Sequence, residues 1–363
     1  MSKAAQLAAL IGSQSALSNR NIIINGAMQV AQRGTSFTGL GGSAGVYSLD
    51  RIRYGFTMNS GRFTITQSTD SPDGFANSLK VDITTAESSL NASSGAALSQ
   101  LLEGQNVQFF AKGTSDAKQY ALSFYVKSNV TGTYIVELFD NDNTRQVSKS
   151  YTIDSANTWE RKTISFPADT TGAFGNDNAN SLFVQWFLAS GTDRTSGTLN
   201  TSWASSTNAN RAVGQTNLFS STSNEWYITG VQLEVGEQAT PFEHEDVGTT
   251  LAKCQRYFAK SWSQGSAVTT NAGVIGAACV GNANRAFGNV FWPVTMRAAP
   301  TVIWYSGSTG TANKWRNASQ GTDITAASAI SGIGQSGYGF VLSSGIVGIT
   351  DTLQGHYQAE AEL

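Results

Sequence analysis

Few side chains in this sequence are of the types that carry reaction chemistry, and their spacing favours binding over bond-making. The two histidines, His244 and His356, stand far apart. His244 sits in PFEHED beside Glu243, Glu245 and Asp246, and its expected place is a solvent-facing junction. His356, in QGHYQ, has no charged neighbour and reads as a surface or interface strand residue. Cys254 and Cys279 lie on different kinds of segment, so neither a zinc set nor a disulfide framework is encoded. The G-x-S-x-G elbow, the Walker A loop, a G-x-G-x-x-G turn and H-E-x-x-H are all missing. Glu137, Asp140 and Asp142, in ELFDNDNT, form the densest acidic cluster outside the His244 junction. Three readings stay open for it. It suits the tip of a hairpin, where Asp and Asn cap their own backbone. It also suits a calcium site, although D-N-D-N-T lacks the later Gly and Glu of an EF-hand loop. Or it supplies the carboxylate pair that a glycosidase places across one bond.

Aromatic residues in polar surroundings are the remaining chemical signal. Trp203 stands in NTSWASSTN, and Trp315 stands in NKWRN between Lys314 and Arg316. Aromatic faces stack on sugar rings while Asn, Gln, Arg and Asp meet the hydroxyls. Trp203, Tyr305, Trp315 and Arg316 are therefore the candidate glycan or receptor contacts. The competing reading is that each tryptophan pins its own loop onto the sandwich or onto a neighbouring subunit. No cofactor and no metal is called for.

The elements that must position these residues follow from composition and pattern. Of 363 residues only 13% are charged, against 10% aromatic, and Gly (37) far outnumbers Pro (5). Ser, Thr and Asn carry most of the polarity, a sheet-and-turn composition that also argues against disorder. Net charge is −2, from 23 Lys+Arg and 25 Asp+Glu, and no block of like charges occurs, so nucleic-acid binding by a basic patch has no support. No window approaches the ~18 apolar residues of a membrane-spanning helix. Over 1–18, Ala4, Leu7, Ala8 and Ile11 form one helical stripe. So short a helix is marginal alone, which makes Leu7, Leu10 and Ile11 candidate docking or trimerisation contacts, with a simple packing helix as the alternative.

From Asn21 the pattern turns to short apolar and aromatic runs between turn residues. Strands are expected at 62–66, 79–83, 107–110, 120–126, 133–138, 161–166, 182–188 and 226–235, with 120–126 and 133–138 paired as a hairpin. In the last of these, Ile228, Gly230, Gln232 and Glu234 should face away from Tyr227, Thr229, Val231, Leu233 and Val235. This predicts an antiparallel jelly-roll sandwich over 19–243. Val247, Leu251, Cys254 and Phe258 then predict a connecting helix within 244–260. Residues 261–363 form a C-terminal β domain, with strands at 274–280, 287–294, 301–305, 338–342, 346–349 and 357–361. The polar stretch from Ser306 to Ala327 reads as a long loop of functional or mobile kind. The fold class is mainly β: an antiparallel jelly-roll sandwich plus a C-terminal β-sandwich domain, a short N-terminal helix and one connecting helix.

Several motifs in order carry a resemblance: NRNIIINGAMQVAQRGTS, YSLDRIR, YALSFYVKSNVTGTYIVEL, TWERKTISFPADTTG, WFLASGT, GVQLEVGEQATPFE, KCQRYF, VTMRAAPTV and the ending HYQAEAEL. Together they resemble tail-fibre and virion structural proteins of tailed bacteriophages, those of marine and cyanobacterial phages most of all. The sequence departs from that pattern at Ile52 and Tyr125, where the family commonly has Trp. The resemblance implies a carbohydrate-binding-module-like jelly roll, a homotrimeric tail fibre or similar appendage in the virion, and an N-terminal segment fixed to a tail, neck or capsid protein. Host-surface glycan is the implied external partner. A purely architectural head fibre, decoration, collar or baseplate protein is the alternative, and a glycan depolymerase the less favoured one. Within YSLDRIR, Asp50 and Arg51 would suit a buried or half-buried ion pair that fixes a loop to the sandwich.

Overall fold

The computed structural model describes residues 19–269, 273–279, 285–325, 328–329, 332–342 and 350–363. The expected N-terminal helix with Leu7, Leu10 and Ile11, and the strand expected at 346–349, lie outside the described residues. The chain forms two units, one of Met1–Ala31, Thr35–Val247 and Leu363, the other of Gln32–Gly34 and Gly248–Glu362.

Unit 1 is built from β1 (Ser36–Leu40), β2 (Val46–Tyr47), β3 (Arg53–Gly55), β4 (Arg62–Ser68), β5 (Ser78–Thr85), β6 (Gly95–Glu103), β7 (Tyr120–Ser128), β8 (Gly132–Asp140), β9 (Arg145–Ile153), β10 (Glu160–Phe166), β11 (Asn180–Ser190), β12 (Ala204–Ser205) and β13 (Glu225–Val235). They make two antiparallel sheets, in the orders β1-β4-β5-β13-β7-β10 and β12-β9-β8-β11-β6-β3-β2. Alternation along the strands supplies the core between them. Leu122, Phe124 and Val126 of β7 and Leu79, Val81 and Ile83 of β5 meet Val184, Trp186 and Leu188 of β11 and Val136 and Leu138 of β8 in one buried cluster. Phe124 touches Trp186 edge-on at 5.8 Å and Tyr151 at 5.1 Å.

Three expectations are corrected here. β7 and β8 are not a hairpin: β7 pairs with β10 and β13 in the first sheet, whereas β8 pairs with β9 and β11 in the second. The chain crosses between layers at 129–131, where Tyr134 donates its hydroxyl to Val130 O (3.0 Å). Residues 107–110 are not a strand but lie in short 3-10 turns, ended by Ala111 in the left-handed region (φ 49°). The apolar triplet Ile22–Ile24 joins no sheet ladder. It is held by side-chain amides, Ile24 N donating to Gln100 Oε1 (2.7 Å) while Gln100 Nε2 returns a bond to Ile24 O (2.8 Å). Finally, β13 does not keep one alternation. Its register slips between Thr229 and Gln232, with Gly230 at φ 61°, so Trp226, Ile228, Val231 and Leu233 all face the core.

Asp50 and Arg51 are both buried, as the sequence suggests. Arg51 donates to Leu101 O at 2.5 Å, and Asn25 Nδ2 donates to Asp50 O at 3.1 Å.

Unit 2 begins with most of the helix Val247–Gln255, then β14 (Phe258–Lys260), β15 (Ile275–Cys279), β16 (Ala286–Phe291), β17 (Thr301–Tyr305), β18 (Lys314–Asn317), β19 (Thr322–Thr325), β20 (Ser328–Ala329), β21 (Gly337–Leu342) and β22 (Leu353–Glu360). The connecting helix is shorter than expected. Phe258 leaves the helical stripe because its backbone pairs with Glu360 in a strand, and Val247 is exposed while Thr250 and Cys254 are buried. All pairings are antiparallel. β22 is the shared element, its first half bonded to β15 and β18 and its second half to β14 and β17. The stretch 306–327 is not a long loop: β18 and β19 form a hairpin inside it, Trp315 opposite Ile324 and Arg316 opposite Asp323.

Candidate functional site

The outer face of the first sheet gathers aromatic side chains, of which Phe75, Tyr125, Trp159 and Phe242 are half-buried and Tyr227 is buried. β13 and β7 set Thr229 opposite Tyr125 and Tyr227 opposite Lys127, and β10 sets Arg161 beside Tyr125. Phe75, from the β4–β5 connection, lies 5.4 Å from Tyr125, 5.0 Å from Phe242 and 5.2 Å from His244 (ring centroids). The bulge at Gly230 makes this possible, since a Cβ there would stand 2.7 Å from Phe75 Cζ and 2.9 Å from Tyr125 Cδ2. Phe75, Tyr125 and Phe242 are half-buried, and His244 is exposed, as its junction position predicted.

Alongside, Trp159 meets Tyr227 edge-on at 6.0 Å, and Lys127 lies 4.4 Å over the Tyr227 ring and 5.3 Å over Trp159. Lys127 pairs with Asp70, which also accepts from Trp159 Nε1 (3.0 Å). Burial opposes ionisation of Asp70, but the Lys127 hydrogen bond, the largest influence, holds its carboxyl below the usual value. Arg161 is exposed, its guanidinium donating to Thr240 O at 2.7 Å. The face thus offers ring surfaces bordered by a guanidinium, an ammonium and a carboxylate, a chemistry suited to a polyhydroxylated ring ligand.

The outer face of the second sheet is roofed by the chain itself. Ala212, from the 191–216 segment, packs on Ala97, Ile135 and Phe187. Arg211 clasps Glu137 with two bonds, Nε to Oε1 (2.9 Å) and Nη2 to Oε2 (2.7 Å), and Gln185 adds a third (2.8 Å). The other acidic positions are similarly engaged. DNDNT is indeed the tip of the β8–β9 hairpin, and Asn143 N donates to Asp140 Oδ1 (3.1 Å). Asp140 also receives the Lys112 ammonium at 2.6 Å, which reaches Asp169 (3.1 Å), Thr171 O (2.8 Å) and Gly172 O (2.7 Å). A lysine therefore stands among the oxygens where the calcium reading would put a cation. Asp142 accepts from Gly175 N at 2.8 Å.

The four residues expected to contact glycan are divided between the units. Trp203 belongs to unit 1 and the other three to unit 2. Trp203 follows the pinning alternative: its indole N–H donates to Pro167 O (2.9 Å), and Lys112 lies 5.2 Å over its ring. Trp315 is not an exposed loop residue but is fully buried on β18, its ring 4.9 Å from Trp304 and 5.1 Å from Phe340. The cause is strand alternation, which Lys314 and Arg316 on either side concealed. Arg316 pairs loosely with Asp323 (3.4 Å). Tyr305 remains half-exposed, edge-on to Trp262 at 5.6 Å. His356 is not a surface residue: it is buried, with Nδ1 2.8 Å from Ser261 Oγ. Sequence reading passed over Phe75, Trp159 and Phe242. The one hint was Tyr125, which occupies a position where the resembling proteins carry Trp.

No protein-family model matches the chain, and no curated protein matches it. Among solved structures, the enzymatically active domain of tailspike protein 4 of bacteriophage CBA120 aligns with 60% of this chain and 22% of its own at 14% identity, TM-score 0.31. A putative sugar binding protein from Bacteroides thetaiotaomicron aligns over 60% of this chain and 100% of its own at 14% identity, TM-score 0.31. A family 11 carbohydrate-binding module from Clostridium thermocellum, in complex with a β-1,3-1,4-mixed-linked tetrasaccharide, aligns over 58% and 99% at 11% identity, TM-score 0.29. Likeness at this level carries no argument about function, which rests on this chain's own side chains.

Proposed function

We propose that unit 1 is a non-catalytic glycan-binding sandwich, and that the chain is a virion structural protein serving as an attachment appendage in multiple copies, a homotrimer on the phage-protein resemblance. The observation that carries the glycan reading is the cluster of half-buried rings on the outer face of the first sheet, Phe75, Tyr125 and Phe242, with the exposed His244 against them and Trp159 alongside. The neighbouring Arg161, Lys127 and Asp70 supply hydrogen bonds to hydroxyls.

The test is a glycan microarray probed with the full chain, followed by titration of the best-bound glycan. Tyr125→Ala should weaken binding about tenfold, a loss of ~1.4 kcal/mol, and Trp203→Ala should leave affinity unchanged. Equal affinity of the Tyr125→Ala and parent proteins, or shortening of the bound glycan on incubation, would overturn this reading.

A further inference from the structure

The charges beside the ring face are arranged in a way that decides what kind of sugar suits it. β5, β13 and β7 place Lys80, Tyr227 and Lys127 in one row across the outer face of the first sheet. Both ammonium groups lie against the same ring, Lys80 at 5.4 Å and Lys127 at 4.4 Å from its centre. Two residues along, Asp82 of β5 and Glu225 of β13 stand directly opposite each other. Like charges so placed repel, and Lys80 compensates both, at 2.8 Å each. Lys127 is spent in the same manner on Asp70. Of each set, the carboxylates lie outermost. The Asp70 side chain is 47% exposed and that of Lys127 only 11%, and Lys80 is less exposed than either Asp82 or Glu225. An arriving ligand therefore meets carboxylate oxygens before ammonium groups. Lys80 cannot turn to an anionic ligand without leaving Asp82 and Glu225 facing each other uncompensated. Arg161 adds an exposed cation, which brings these six groups to three of each sign and no net positive charge.

We propose that this face selects uncharged sugars and rejects those carrying carboxylate or sulfate, with Asp82 and Glu225 setting the choice; the inference rests on the glycan reading of the same face. Hydroxyls of a neutral sugar donate to the outward carboxylate oxygens, and a hydrogen bond to an ionised acceptor is the stronger kind. A uronic or sialic acid is ionised near neutral pH and brings its own carboxylate against those oxygens. Like charges set against each other across a contact are the repulsive element by which a site discriminates between ligands of similar shape. The rings supply contact area to both classes alike, so the difference between them falls to the charges.

The test uses the full chain on an array holding neutral, uronic, sialylated and sulfated glycans. The best-bound neutral glycan is then titrated beside its C6-oxidised form, the same sugar chain with its primary alcohols converted to carboxylates. The oxidised form should bind the parent protein at least about tenfold more weakly. Asp82→Asn combined with Glu225→Gln removes both carboxylates and releases Lys80, so affinity for the oxidised form should rise at least about fivefold and close part of that gap. Asp82→Asn alone, which keeps Glu225 on Lys80, is the milder variant and should move the ratio in the same direction. Thermal melting confirms that each variant is folded. A best-bound glycan that is acidic, an oxidised form bound as tightly as the neutral one, or folded variants with an unchanged ratio would each overturn the proposal and leave the glycan reading standing. An array on which no glycan is bound would overturn that reading and this inference with it.

Discussion

Replacing Lys112 with methionine should destabilise unit 1 by about 3–5 kcal/mol, the usual consequence of removing one partner from a buried ion pair. The Lys112 side chain is fully buried, and so is that of Asp140, so solvent screening gives no discount. Methionine keeps most of the apolar stem, so the loss is chiefly electrostatic. Asp169 would retain Arg145, bonded at 2.8 and 3.0 Å. Asp140 would keep only the neutral donors of Asn143, at 3.0 to 3.3 Å. Thr171 O and Gly172 O would lose their bonds from the ammonium. For a unit of this size, 1 kcal/mol corresponds to roughly 2–4 °C, so the melting temperature should fall by about 6–20 °C. Urea unfolding followed by tryptophan fluorescence measures the loss. pH provides a second check. Burial raises the Asp169 carboxyl, but the bonds from Arg145, Lys112 and the Thr171 N–H outweigh it and hold the group below its ordinary value. A carboxyl depressed in the folded state stabilises above its unfolded value, and this is lost as pH falls through the folded one. Parent stability should therefore decline below about pH 4. The deficit of the variant should narrow there, because protonating Asp169 weakens the pair with Lys112 that only the parent has. A loss under about 1 kcal/mol at pH 7 would refute the view that this ammonium holds the 140–172 corner together.

Trp315→Ala should cost unit 2 about 3–5 kcal/mol as a buried aromatic truncation and leave glycan affinity intact, checked by urea unfolding and the microarray glycan. Gly230→Ala should cost roughly 1–2 kcal/mol for a side chain in the left-handed region. By displacing Phe75, it should also weaken glycan binding about as much as Tyr125→Ala does. Normal affinity in a folded Gly230→Ala protein would show that Phe75 has no part in binding.

The sheet content was legible because alternation survives in single strands: 301–305 and the central parts of β4, β5, β10 and β11 stand where the pattern places them. What failed depends on partners distant in sequence. β6 escapes the pattern because it is buried along its whole length, its polar Ser99, Gln100 and Glu103 included. The supposed β7–β8 hairpin failed because neighbours in sequence went to different layers, a choice made by β10, β11 and β13 far along the chain. Trp315 was misplaced by reading its charged neighbours as a loop, when a two-residue period puts Lys314 and Arg316 on one side and Trp315 on the other. The ring cluster was hidden for a similar reason, since Phe75, Tyr125 and Phe242 come from three segments and meet beside a bulge at Gly230.

The scarcity of charge acquires a structural meaning from where the charges lie. Lys112, Asp140 and Asp169 are buried against one another, and Glu137 is buried against Arg211. Glu87 spends its carboxylate on the backbone N–H groups of Ser60 and Gly61 and on Ser94. Glu243 caps the N–H groups of Asn19 and Asn21. Each of these ions fixes a loop or a chain crossing to a sheet, which fits a sandwich whose connections are long and irregular. Charge used inside is charge withheld from the surface. The ring-bearing face of the first sheet should therefore bind glycan with little salt dependence. Raising ionic strength from about 0.05 to about 0.5 M should change glycan affinity less than threefold. A tenfold loss would mean that ionic contacts, and not rings and hydrogen bonds, carry it.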